Sequence, residues 1–180
     1  MAYALYCVIP FSKLNNSNRT IKDAAEIIGR SPAALKMKIC NLAALDPDFL
    51  ATGRVGLWGG ISKLDREIYE EFSKDWEGLS TKAESIAGLP LFDLTEPVYN
   101  GDPHRKKSYA EIADKQARKF FRKSVISAYE GRCCITGQSI PQMVIASHIK
   151  PYYVCDKSER ANPANGLLLN AFYDRAFDQG

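Results

Sequence analysis

The last third of the chain constrains the fold most. Residues 144–149 and 167–169 are short apolar runs that suit strands, a polar loop running to Pro163 separates them, and residues 171–179 suit a short helix. The resulting order is strand, long loop, strand, helix. Upstream, residues 109–129 have helical spacing, with Ile112, Phe120, Val125 and Tyr129 among the apolar positions. Lys115, Arg118, Lys119, Arg122 and Lys123 crowd along the same segment, so this helix can lie along a phosphate backbone.

In the first half, the apolar residues 4–11 precede a polar cluster, 13–18, that reads as a loop. Thr20 is placed to cap a helix running to about Ile28, with Ile21, Ala24, Ala25 and Ile28 on one face. Gly29 breaks it. Ser31 followed by Pro32 starts a second helix, with Ser as cap and Pro where its missing N–H costs nothing. That helix runs to about Leu45, with Leu35, Ile39 and Leu42 inward, Lys36 and Lys38 near its outer side and Arg30 at the turn. Two short helices joined by a Gly turn fit a helix-turn-helix whose second helix enters a major groove. An ordinary helical hairpin with a basic solvent face has the same spacing. Residues 52–60, holding four Gly and Trp58, can form the hairpin of a winged helix. Residues 62–77 read as a capped acidic amphipathic helix with Leu64, Ile68, Phe72 and Trp76 inward. Residues 78–103, with three Pro, three Gly and no helical periodicity, read as a linker.

Charge follows these divisions. Residues 1–45 hold six Lys/Arg against two acidic groups, 62–100 hold four against nine, and 101–126 hold eight against three, within a chain of net charge +3. Two basic segments flanking an acidic one suit a polyanion-binding protein with two contact regions; solvated helix faces produce similar runs. With 180 residues and 46% hydrophobic content, disorder and collagen-like repeats are excluded. No apolar run approaches the roughly 20 residues of a membrane helix. The first ten residues have neither a basic region nor a cleavage site, so a cytoplasmic location and no membrane partner are expected. The five Cys form no C-x-x-C pair, which signals neither a disulfide framework nor a four-Cys zinc knuckle.

Residues 108–180 resemble the HNH nucleases, whose ββα-metal fold places a His at the end of the first strand, an Asn before the second, and a His or Asp on the helix. The phrases that carry the resemblance are Ser147-His148-Ile149-Lys150-Pro151, Asn165-Gly166 and Asp174-Arg175-Ala176-Phe177-Asp178-Gln179-Gly180, and they look like the restriction-type branch. The step of nine from Asn165 to Asp174 matches the family's spacing between its Asn and its third motif residue. Leu5-Tyr6, Arg30-Ser31, Asn41-Leu42-Ala43, Leu45-Asp46-Pro47 and Lys63-Leu64-Asp65 are similar to the leader domain of some bacterial HNH restriction-type proteins.

The chemistry agrees. Phosphodiester hydrolysis needs a base for the attacking water and a divalent cation for a non-bridging oxygen and the leaving 3′ oxygen. His148 is one of two His, and its ordinary pKa near 6.5 suits a general base; carried over from the family motif, it is that base. His104 matches nothing. Asp174 and Asp178 stand four apart on the expected helix, so both carboxylates share a face and can reach one ion. Colicin-type relatives supply His at these two positions, so carboxylates here shift the preference to Mg²⁺ or Mn²⁺. Asn165 can cross-link the long loop and fix the strand carrying His148; some HNH enzymes use it as a ligand. Arg175 and Lys150 are candidate phosphate contacts. Many relatives have a metal ligand immediately before the base, where this chain has Ser147. No structural zinc is expected.

The reading is therefore an α+β protein: a helix-turn-helix-like or winged-helix-like recognition domain over residues 1–80, a linker over 81–107, and a ββα-metal HNH domain over 108–180. It implies a divalent-metal-dependent endonuclease acting on double-stranded DNA. The DNA contacts expected are Arg30, Lys36, Lys38, Arg118, Lys119, Arg122, Lys150 and Arg175. Cutting both strands implies a homodimer or sequential nicks. The alternatives are a non-catalytic DNA-binding protein on a degenerate HNH scaffold and, third, an RNA nuclease.

Overall fold

A computed structural model of the chain describes residues 1–88 and 109–179, with the side chains of 109–113 outside the description. The chain opens with helix α1, Ala2–Val8, whose Tyr3, Ala4 and Leu5 are buried. Helix α2, Arg19–Ile27, is capped by Asn18, which accepts from the Ile21 N–H, and not by Thr20, which lies in the first turn. Asn18 is the nearer cap because its side chain reaches three residues on. Gly29 turns the chain at φ +63°, a left-handed conformation that glycine adopts without steric cost. Helix α3, Pro32–Ala43, follows, with Ser31 accepting from the Ala34 N–H. Its Leu35, Ile39 and Leu42 face inward against α1 and α2.

Residues 52–60 do not form a wing. Helix α4, Pro47–Ala51, is capped by Asp46, and a 3-10 turn, Trp58–Gly60, closes the following loop. The loop is laid on α3: the Leu57 N–H donates to the Cys40 carbonyl at 3.0 Å, and Asn41 Nδ2 donates to the Gly60 carbonyl at 2.8 Å. The acidic helix expected over 62–77 is two helices, α5, Lys63–Phe72, and α6, Trp76–Ala87. Ser62 and Asp65 form a capping box at the first, while Asp75 caps the second and so ends the first. Leu64, expected inward, is 60% exposed, whereas Ile68, Phe72 and Trp76 pack on the core. Residues 81–87, expected as linker, are the last turns of α6, which Gly88 terminates. The rest of the expected linker, with His104, lies outside the described residues.

Helix α7, Tyr109–Ala128, precedes strand β1, Val144–His148; helix α8, Lys157–Arg160; strand β2, Gly166–Asn170; and helix α9, Ala171–Asp178. The strands are antiparallel, with His148 opposite Gly166 and Val144 opposite Asn170. Phe121 and Val125 of α7 cover Val144 and Leu168 of the hairpin. Gly166 makes that contact close: a Cβ there would lie 2.4 Å from Val125 Cγ2. Helix α7 also reaches the other way. Its Ala117 and Phe120 share a cluster with Tyr3, Leu42, Leu79 and Ala83, so one helix is built into both cores.

Candidate functional site

Alternation along β1 divides its side chains between two faces. Val144 and Ala146 pack toward α7, and His148 continues that face, its ring stacked on Phe121 with centroids 3.6 Å apart and 12° between planes. Ser147 points the other way and its hydroxyl donates to Asp174 Oδ1 on α9. Asn170 starts that helix by accepting from the Tyr173 N–H, which places Asp174 in the first turn.

His148 Nε2 lies 3.0 Å from the Arg160 carbonyl oxygen. A carbonyl only accepts, so Nε2 carries the proton and Nδ1 keeps the lone pair. Burial pushes the imidazole pKa down, the bond to Arg160 opposes this, and the Arg118 cation adds to the lowering; the net result is below the ordinary value. The ring is neutral at pH 7 and able to take a proton. Tyr152 meets it edge-on at 5.4 Å. Arg118 stacks 3.9 Å over the Tyr152 ring and pairs with Asp114 at 3.0 Å, and the Tyr152 hydroxyl donates to Asp114. Phe121, Tyr152, Asp114 and Arg160 were not singled out by sequence. Nothing in their local pattern marks them, because their partners come from α7 and the loop after β1.

Asn165 closes that loop. Its Oδ1 accepts from the Lys150 N–H at 2.8 Å, and its Nδ2 donates to the Lys150 carbonyl at 3.4 Å and to Cys155 Sγ at 3.2 Å. The Ile149 N–H donates to the Asn165 carbonyl at 2.9 Å, so the residues just past β1 and just before β2 are tied together.

Of the other expected contacts, Arg175 and Asp178 are exposed on α9. Lys150 pairs with Glu159 at 2.5 Å. On α7, Arg122 Nη2 donates to the Val144 carbonyl at 3.5 Å and Lys119 is half-buried. In the N-terminal half Arg30 is exposed beside the turn and Lys36 is half-buried, whereas Lys38 is paired with the buried Asp65 at 2.8 Å. Burial pushes the Asp65 carboxyl up, but hydrogen bonds from Lys38 and Ser62 outweigh it and hold it below its ordinary value. The structure thus brings Ser147 to Asp174, and His148 to Arg118 through Tyr152; the basic residues of α3 stand apart from both.

Among the described residues no three His, Cys, Asp or Glu side chains converge on a point. The donors on α9 and its neighbour are oxygens: the Asp174 carboxylate, the Ser147 hydroxyl and, one turn on, Asp178. Oxygen donors are the type that hard divalent cations take. All five Cys are free thiols.

Residues 133–180 match the family model described as HNH endonuclease, which covers the hairpin, α8 and α9. That match supports the HNH family for this segment, and with it nuclease-type cleavage of DNA and the use of a divalent metal. No curated protein and no solved structure matches the chain. No helix among the described residues is long and apolar enough to cross a membrane.

Proposed function

We propose that the protein is a restriction-type DNA endonuclease in which His148 is the general base. The observation that carries this reading is the Arg160 carbonyl on His148 Nε2, which leaves Nδ1 with the lone pair that takes a proton from water. Phe121 stacks the ring and limits its rotation, and burial, with the Arg118 charge adding to it, keeps it neutral at working pH. Asp174 and Asp178 are the metal ligands, with Ser147 holding the Asp174 carboxylate toward the strand. A bound divalent ion supplies charge for a non-bridging oxygen and the leaving 3′ oxygen. Asn165 is a positioning residue: it fixes the loop on which the Arg160 carbonyl is carried. Arg175 and Lys150 meet phosphates near the cut, and Arg118, Lys119 and Arg122 extend the basic surface along α7.

Helices α2 and α3 act as a helix-turn-helix-like reader, with Arg30, Lys36 and Lys38 as its contacts to double-stranded DNA. One such site meets one strand, so double-strand cleavage uses a homodimer or two successive nicks. The protein works in the cytoplasm.

The test is incubation with supercoiled plasmid, with and without base modification, in Mg²⁺, Mn²⁺ or EDTA. Metal-dependent nicking that is lost in His148→Ala and needs more Mg²⁺ in Asp174→Asn is expected. DNA binding without cutting in any metal would refute the nuclease and leave a binding protein on an HNH scaffold.

A further inference from the structure

A cavity of about 280 Å³ lies between α1, α4 and the C-terminal turns of α7, and neither His148 nor Asp174 lines it. Its size is just below the roughly 300–1,000 Å³ typical of ligand pockets, enough for one flat ring system and too little to enclose a phosphate as well. Phe11 and Phe49 line it as a tilted aromatic pair with centroids 4.6 Å apart, and Tyr6 meets Phe49 edge-on at 6.3 Å. Asp46, also in the lining, accepts from the Tyr6 hydroxyl on Oδ2 at 2.5 Å and from the Asp48 and Phe49 N–H groups on Oδ1. A carboxylate has about four acceptor positions, so one is left for a ligand.

The opposite wall holds the feature that asks for a ligand. Ser124 of α7 is 1% exposed, lines the cavity, and its hydroxyl has no hydrogen-bond partner among the described residues. A hydroxyl taken out of water without a partner is a folding cost that a bound polar group recovers. The charge of the lining selects against anions. Arg54 is held by Glu130 at 3.2 Å, and three carboxylates, Asp46, Asp48 and Glu130, outnumber it.

We propose that this cavity binds a single amino-bearing nucleobase, stacked on one ring of the Phe11–Phe49 pair, hydrogen-bonded to Ser124, with its exocyclic amino group toward Asp46. Aromatic stacking accepts any base, and the carboxylate favours an exocyclic amino group over the N3–H of thymine or uracil, which is flanked by two carbonyl oxygens that a carboxylate repels. Because the walls come from both halves of the chain, occupancy clamps α1 and α4 onto α7, the helix whose Phe121 stacks on His148. The base reaches the cavity either as a free nucleoside or extruded from DNA.

Trp76 lines the cavity and Trp58 does not, so in a Trp58→Phe background Trp76 emission reports occupancy. The probes are deoxyadenosine, deoxycytidine, thymidine and deoxyuridine, and a DNA duplex with one extrahelical adenine, all in EDTA. Saturable quenching is expected, with the amino-bearing probes at least about tenfold tighter than thymidine and deoxyuridine, as one lost charge-assisted hydrogen bond gives. Ser124→Val and, on a surface turn, Phe11→Ala each weaken binding about tenfold. His148→Ala leaves binding unchanged, so failure of the nuclease reading does not decide this one. A response to nucleosides marks a diffusible ligand, and a response to the duplex alone marks an extruded base. No saturable quenching by any probe, equal affinity for deoxyuridine and deoxycytidine, or wild-type affinity in both variants would overturn the proposal.

Discussion

Gly166→Ala tests how the hairpin is held on α7. The new Cβ would lie 2.4 Å from Val125 Cγ2 and 2.9 Å from Phe121 Cζ, and Val125 is fully buried, so neither neighbour has free space to enter. The backbone at Gly166, φ −129° and ψ 144°, is ordinary extended geometry that alanine adopts, so the penalty is steric. Overpacking of this kind costs about 1–3 kcal/mol. The lower chain entropy of alanine in the unfolded state returns about 0.4–1 kcal/mol, for a net loss of up to about 2.6 kcal/mol and of about 1.3 kcal/mol at the middle of both ranges. Urea unfolding measures it, and a loss of that size lowers the melting temperature by about 2–4 °C per kcal/mol. Val125→Ala alone costs about 2 kcal/mol through the cavity it opens. In the double variant the closer clash, with Val125, is gone and the Phe121 contact remains, so the two costs should fall short of their sum by about 1 kcal/mol. Cleavage falls in Gly166→Ala because Phe121, displaced by the same methyl, stacks on His148, and it recovers only in part in the double variant, where the space left by Val125 lets the methyl move off Phe121. A stable Gly166→Ala protein, or strictly additive costs, would refute the packing account.

The lowered His148 pKa places the acid limb of the cleavage rate below pH 6.5, and Arg118→Gln should raise its midpoint; an unmoved midpoint removes the role given to Arg118. With the folded pKa below the unfolded one, this group's contribution to stability is complete above pH 6.5 and lost as pH falls through the folded value, so wild type should lose more stability than His148→Gln between pH 7 and 5. Asn165→Ala removes three side-chain hydrogen bonds and should cost about 1–3 kcal/mol, with faster hydrogen exchange at the Lys150 amide; unchanged protection there would refute its bracing role. Lys38→Ala leaves the buried Asp65 without its cation and should lower stability by about 1 kcal/mol, while Lys36→Ala should not; in DNA binding each is expected to reduce the salt slope by about 1. Equal urea midpoints for the two variants would show that the Lys38–Asp65 pair adds nothing.

The elements with a strong local signal were readable. Ser31-Pro32 starts α3 where a cap followed by proline should, and β1, β2 and α9 fall within one or two residues of the expected runs. Helix α1 gave no such signal: with Tyr3, Ala4 and Leu5 all buried and no charged residue, it lacks the polar face that makes a helix periodic. Residues 52–60 carry no signal that separates a wing from a loop, because glycine-rich sequence fits both a hairpin and a loop laid on a helix, and the carbonyl of Cys40 and the side chain of Asn41 decide between them.

What the sequence by itself determined is the local order: a capped helix pair, a long basic helix, and a strand-loop-strand-helix run with His148, Asn165 and Asp174 at set steps. These depend on capping, periodicity and spacing, which act within a few residues of chain. What only the tertiary structure decided is which groups meet. Phe121, from a helix more than twenty residues upstream, stacks on His148; Arg160 sets its proton; Ser147 takes Asp174; and Lys38 is held by Asp65. Burial and pairing between distant segments set protonation and available charge, and no local pattern encodes a partner that folding brings from elsewhere.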